Sequence, residues 1–297
     1  MVVLIDPPRW PAHGTRWSHL VSDTDLAELH ELARRCALPT RSFDLDHYDV
    51  PAERYDDLVA AGAQPVSAHE LIRRLRGSGL RVPAVQRRLR TELTRRWREL
   101  LPGHPDLGEG LLTRWSEPHR RYHDLTHLRE VLRRLEVLAD GGEQVSRPVH
   151  LAAWFHDAVY AGDSPERDSA DLAGRALRDV VPAPEVAEVA RLVRLTARHD
   201  PGPQDRAGQA LCDADLGVLG SDPHAYRTYT EQVRAEYRHV PEPDFRRGRA
   251  AILRRLLSHP QIFTTPTGHA RWEAAARANL CAELATLAEP ADLVEPS

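Results

Sequence analysis

The chain has 297 residues, 28% of them charged and 41% hydrophobic, with a formal net charge of −4. At ~150 residues per domain this length points to two domains, and a pI near 6.5 with mean hydropathy of −0.49 excludes a globally basic nucleic-acid footprint. Three widely spaced cysteines, Cys36, Cys212 and Cys281, exclude a disulfide framework and a thiolate zinc site. No apolar run approaches the ~18 residues of a membrane span, and the N-terminus lacks a signal-peptide pattern. The expectation is a reduced, cytoplasmic protein with no membrane partner and no nucleic-acid partner.

Residues 1–80 read as a small α/β domain. VVLI (2–5) suits a buried strand that stops at Asp6-Pro7-Pro8. Ser22 and Asp25 form a capping-box-like start for a helix that carries Leu26, Leu29, Ala33 and Cys36 at helical spacing. Arg41 to Leu45 suits a second strand, followed by Asp46-His47-Tyr48-Asp49; Pro51 opens another helix that Gly62 closes. Ser67 to Glu70 repeats the capping pattern, and that helix ends at Gly77. Strands alternating with helices predict a parallel-type sheet. Asp6, His13, Trp17, His19, Asp44, Asp46 and His47 are candidate site residues here, since loops after strands carry function, but no spacing among them is diagnostic.

RGSGLRVP (76–83), with two glycines and a proline, reads as the linker. The domain assigned to residues 81–290 reads as helix after helix. Val85 to Leu101 is arginine-rich yet keeps Leu89, Leu93, Trp97 and Leu100 apolar, the pattern of a packing helix. Leu125, Leu128, Leu132, Leu135 and Leu138 give a 3.6 period up to Gly141-Gly142. Pro148 starts a helix through LAAWFHDAVY (151–160), whose five leading apolar residues predict full burial. Asp163-Ser164-Pro165, Pro184 and Ala210 open further helices; longer ones close the domain, and a frayed tail follows Pro290. The fold class is mainly α, a helical bundle preceded by a small α/β domain.

Of three His-Asp pairs, His123-Asp124, His156-Asp157 and His199-Asp200, only the second is set in apolar sequence on both sides. Burying an imidazole beside a carboxylate is costly without partners, and a metal ion is one solution; a hydrogen-bonded core histidine is the other. In chain order the chemistry-bearing residues run His123, His127, His156-Asp157, Glu166, His199, Asp213 and Asp215. His123 and His127, four apart, would share one helical face.

RYHDLTHL, AAWFHDAVY, SPERDSADLA, LTARH and DADLGVLG together resemble the HD superfamily of metal-dependent phosphohydrolases, and within it a bacterial group of predicted phosphohydrolases, over about residues 85–287. IDPPRWPAHGTRWSHLVSD and FDLDHYDVP resemble a small bacterial domain of unknown function. The first resemblance implies an all-helical HD domain in which His127, His156, Asp157 and Asp215 hold a divalent metal. Asp215 is preferred because the family places its ligand in an Ala-Asp-Leu turn, here Ala214-Asp215-Leu216. Asp213 and His199 are then orienting or second-metal candidates, with a cap or loop carboxylate the other reading for Asp213. YHDLTH is also similar to the Tyr-His-Asn-x-x-His stretch of cyclic-nucleotide phosphodiesterases, with Asp124 in place of Asn; that makes His123 either a proton donor or a structural histidine.

Two imidazoles and two carboxylates suit Mn, Fe, Ni, Co, Zn or Mg. Such an ion activates water for attack at phosphorus, with Asp157 or Glu166 orienting it, although Asp163 and Glu166 also fit a capping pair. Arg120, Arg121 and Arg198 are phosphate-binding candidates, and Tyr226, Tyr229, Arg234, Glu236 and Tyr237 either line a nucleobase pocket or pack against the final helices. The expected function is hydrolysis of a nucleotide or other small phosphorylated metabolite. The alternatives are an HD-fold di-iron oxygenase and a metal- or nucleotide-binding regulatory module without turnover.

Overall fold

The computed structural model describes residues 2–160 and 162–288, so the tail expected to fray after Pro290 lies outside the described residues. Contacts divide the chain into two compact units, Met1–Arg87 and Arg88–Ser297.

The first unit is built on a six-stranded sheet: β1 (Val3–Ile5), β2 (Trp10–Ala12), β3 (Thr15–Ser22), β4 (Phe43–Asp44), β5 (His47–Pro51) and β6 (Gln64–Pro65), in the order β4-β5-β3-β1-β6 with β2 on β3. The parallel-type sheet is not what forms. β3 pairs antiparallel with β1, β2 and β5, β4 pairs antiparallel with β5, and only β1 and β6 run parallel. β2 and β3 make a hairpin through His13 and Gly14, at φ 50° and 78°, the positive-φ pair that a tight hairpin demands. Helices α1 (Leu26–Arg35), α2 (Tyr55–Ala60) and α3 (Ala68–Gly77) complete the unit. Asp25 caps α1 by accepting from the Ala27 amide, and Ser67 caps α3 by accepting from the Glu70 amide.

Strand periodicity splits the apolar residues between two faces. Val3, Ile5 and Leu20 join Leu29, Leu32 and Ala33 of α1 on one side, while Leu4 and Val21 meet Leu71 and Leu75 of α3 on the other. Helices therefore cover both faces, which is why β1 is buried along its whole length.

The second unit is helical: α4 (Ala84–Leu100), α5 (Pro105–Trp115), α6 (Leu125–Asp140), α7 (Arg147–Phe155), α8 (Pro165–Ala176), α9 (Ala183–Leu195), α10 (Arg206–Leu216), α11 (Pro223–Glu236), α12 (Glu242–Ser258) and α13 (Pro266–Ala288). α7 is its centre and packs on α6, α8, α9 and α10. Every residue from Leu151 to Phe155 is buried, as the all-round apolar run predicts. The helix does not continue through Tyr160, however; it stops at Phe155 with His156 as its cap residue. A second core, with Tyr226, Tyr229, Leu253, Phe263 and Leu280, ties α11, α12 and α13 together. Asp163 does not cap α8, whose cap residue Ser164 makes no side-chain capping bond.

Candidate metal centre

The site forms where α6 begins and α7 ends. Asp124 caps α6 by accepting from the Thr126 and His127 amides, which leaves His123 just outside the helix and His127 in its first turn. The two histidines thus do not share a helical face; the turn at the cap sets their ring centroids 5.4 Å apart. At the end of α7, His156 donates through Nδ1–H to the Ala153 carbonyl at 2.8 Å, one of the carbonyls a helix terminus leaves available. That bond makes Nε2 of His156 a lone-pair donor aimed away from the helix.

His127 Nε2 lies 3.1 Å from His156 Nε2 and 3.1 Å from Asp215 Oδ1. His156 Nε2 lies 3.3 Å from Asp157 Oδ2 and 3.5 Å from Asp215 Oδ1, and His127 Nε2 is 3.8 Å from Asp157 Oδ2. An ion with bonds of about 2.0–2.2 Å separates neighbouring ligand atoms by roughly 3.0–3.6 Å; four of these five spacings fall in that range, and the 3.8 Å from His127 to Asp157 lies just beyond it. Four lone-pair-bearing groups converging in a buried place need positive charge between them. Without a metal a proton takes that role: burial lowers the basicity of His156, yet Asp157 and Asp215 outweigh it and lift its pKa to about 9. Burial moves His127 the other way, below its ordinary value. Asp215, despite its burial, is held well below the carboxylate range by His156, His127 and His199. One feature departs from an ideal metal site. Nδ1 of His127 is buried without a hydrogen-bond partner among the described residues, where a metal-bound imidazole ordinarily has an acceptor.

The surrounding residues hold this cluster. His199, in the left-handed region at φ 50°, places Nε2 2.8 Å from Asp215 Oδ2 and so fixes the oxygen that faces away from the imidazole pair. His123 sets Nδ1 2.5 Å from Glu236 Oε1 and Nε2 3.9 Å from Asp157 Oδ2. Burial opposes its protonation, but Glu236 and Asp157 prevail and raise its pKa. Glu236, at the end of α11, also accepts from the amides of Arg121, Tyr122 and His123 and from the Tyr160 hydroxyl. Against the burial penalty, the His123 imidazole first, and then the Arg121 amide and the Tyr160 hydroxyl, hold its carboxyl far below the usual range.

Other candidates stand elsewhere. The Asp213 carboxylate is taken up by the amides and hydroxyls of Thr264 and Thr265, where it anchors the loop leading into α13. Arg120 is buried and donates to the carbonyls of His123, Asp157 and Ala158, sandwiched between Trp115 and Tyr160; it braces the site's backbone. Arg121 is exposed and turns back to the Pro118 carbonyl, and Arg198 is exposed beside His199. Glu166 is half-buried in the first turn of α8. Tyr226 and Tyr229 bond to Glu283 and Arg249 of the final helices, so the tyrosine pair packs, while Tyr237 lies 3.4 Å from the Tyr160 hydroxyl at the site's edge. Arg134, unremarked in the sequence, reaches the Ala214 carbonyl across Gly217, where a Cβ would sit 2.4 Å from its Cδ. Burial lowers its pKa, against the attraction of Tyr122 and Asp215.

Residues 3–78 match a family described as Protein of unknown function (DUF4031). The match covers the N-terminal unit, as the resemblance to a domain of unknown function implies, and stops before the helical unit. No curated protein and no solved structure matches the chain. Among the described residues no helix is long and apolar enough to cross a membrane.

Proposed function

We propose that the helical unit is a metal-dependent phosphoric ester hydrolase of the HD type, acting in the cytoplasm on a nucleotide or other small phosphorylated metabolite. The observation that carries this reading is the convergence of His127, His156, Asp157 and Asp215 at ligand spacing. They come from three separate motifs, with one imidazole tautomer already set by Ala153. Those residues would hold Mn, Fe, Ni, Co, Zn or Mg. When bound, such an ion supplies Lewis acidity and an acidified water.

The chain's own groups do the rest. His123, with Nδ1–H committed to Glu236 and Nε2 beside Asp157, would act as the imidazolium, giving the Nε2 proton to the leaving oxygen and keeping the Nδ1 proton on Glu236. His199 keeps Asp215 oriented. Of the candidate arginines, Arg120 serves the scaffold, and Arg121 and Arg198, both exposed, are the ones left as candidates for phosphate.

Metal content of the wild type beside His156→Ala and Asp215→Ala, with phosphate release followed on a nucleotide panel, tests the proposal. Stoichiometric metal and turnover, both lost in the variants, support it. Bound metal with no turnover of any phosphate ester points instead to an oxygenase or a regulatory binding module. Metal retained in both variants rejects the ligand set.

A further inference from the structure

The N-terminal unit contains a second constellation of metal-binding groups. β3 and β5 pair antiparallel with His19 directly opposite Asp49, and His47, two residues before Asp49, shares its face of the sheet. The imidazoles of His19 and His47 lie edge to face with centroids 5.0 Å apart, and His47 Nε2 is 3.4 Å from Asp49 Oδ1. One ligand atom from each of His19, His47 and Asp49 falls within 4.8 Å of the others.

What distinguishes this cluster from chance neighbours is the support behind it. His19 Nδ1 faces Asp6 Oδ2 at 3.2 Å, and the same carboxylate accepts the His19 amide at 2.5 Å. His47 Nδ1 faces Asp46 Oδ1 at 2.7 Å, while Asp46 is itself gripped by the Val82 amide and by Arg81 and Arg87. The side chains of Asp6 and Asp46 are 2% and 0% exposed. A carboxylate acceptor at each Nδ1 selects the tautomer whose lone pair is on Nε2, the way metal-ligating imidazoles are held. Charge points the same way. Asp44 and Asp46 face the guanidiniums of Arg81 and Arg87, while Asp6 and Asp49 face the imidazoles of His19 and His47; four carboxylates against two guanidiniums leave a surplus of negative charge that a divalent cation balances. Of the loop residues the sequence suggests, His13 lies at the exposed hairpin turn and Asp44 is engaged by Arg87.

We propose that His19, His47 and Asp49 form a binding site for a borderline divalent ion such as Zn²⁺, Co²⁺ or Ni²⁺, with Asp6 and Asp46 orienting the two imidazoles and the remaining coordination positions open. Two nitrogens and one oxygen without thiolate suit those ions. The opposing arrangement is a protonated imidazole bridging carboxylates with no metal. This inference does not depend on the function proposed for the helical unit.

The test is a Co²⁺ titration of the metal-stripped full-length chain, read by visible absorption and by bound metal per chain. The set is wild type, Asp49→Asn, His19→Gln, Asp6→Asn and His156→Ala, with circular dichroism as the check of folding. Asp49→Asn and His19→Gln are expected to weaken one binding event at least tenfold. Asp6→Asn, which touches no ion, weakens the same event by ~10–100-fold, and His156→Ala leaves it intact. If His19→Gln unfolds, Asp49→Asn decides alone, since that side chain is 45% exposed. A wild type whose Co²⁺ binding is unchanged by Asp49→Asn and Asp6→Asn overturns the proposal. Should the helical unit bind no metal, the wild type shows a single event that Asp49→Asn still removes.

Discussion

Each candidate side chain in the helical unit is defined by what its far end touches. His123 is the clearest case, because Glu236 pins one nitrogen and frees the other. His123→Ala is therefore expected to lower kcat by ~10²–10⁴-fold, the usual weight of a general acid, with bound metal unchanged. Glu236→Gln keeps the shape but weakens the grip on Nδ1–H and on the three amides. It should lower turnover by ~10–100-fold while leaving metal stoichiometry intact; loss of metal in that variant would mean that Glu236 supports the ligands as well. Asp213 makes the opposite case. Asp213→Ala strands the buried Thr265 amide and the half-buried Thr264 amide and is expected to destabilise the fold by about 2–3 kcal/mol in denaturant titration. Metal affinity should stay at the wild-type value.

At the level of elements, the site depends on two helix ends. The Asp124 cap starts α6 between His123 and His127, so one carboxylate both stabilises the helix and spaces the two imidazoles. Asp124→Ala should lower stability by ~1 kcal/mol and weaken metal binding in the same variant, whereas Asp124→Ser should restore the cap. α7 ends where its apolar run meets His156, and that end supplies the Ala153 carbonyl that sets the tautomer. Close approach matters in the packing as well: a Cβ on Gly108 would lie 2.2 Å from Trp97 Cδ1. Gly108→Ala should thus loosen the contact of α4 with α5, with a loss of about 1–3 kcal/mol visible as a lower Tm.

Across the whole molecule, a metal that binds the folded chain and not the unfolded one stabilises by mass action. At a free ion concentration ~100 times Kd the gain is about 2.7 kcal/mol. Thermal melts of the stripped chain should rise with added Co²⁺ or Mn²⁺ and fall back with chelator. His156→Ala and Asp49→Asn should each remove part of that rise. An unchanged melt in the wild type would argue that neither cluster holds an ion.

Much was legible in the residues alone. The helical period of Leu125 to Leu138, the capping serine at Ser67, the burial of Leu151 to Phe155 and the mainly helical class preceded by a small α/β unit all follow from local pattern, because side-chain spacing and capping act within a few residues. Sheet direction was not local. Whether β3 runs against β1 and β5 depends on the path of the chain between them, and the hairpin at His13-Gly14, flanked by Trp10 and Trp17, was the available signal. The site was divided in the same way. Motif order named the histidines and aspartates, but only the packing of α11 brings Glu236 under His123, 113 residues away in sequence. Only the pairing of β3 with β5 sets His19 across from Asp49, since contacts between distant segments are decided by how whole elements bury their apolar faces.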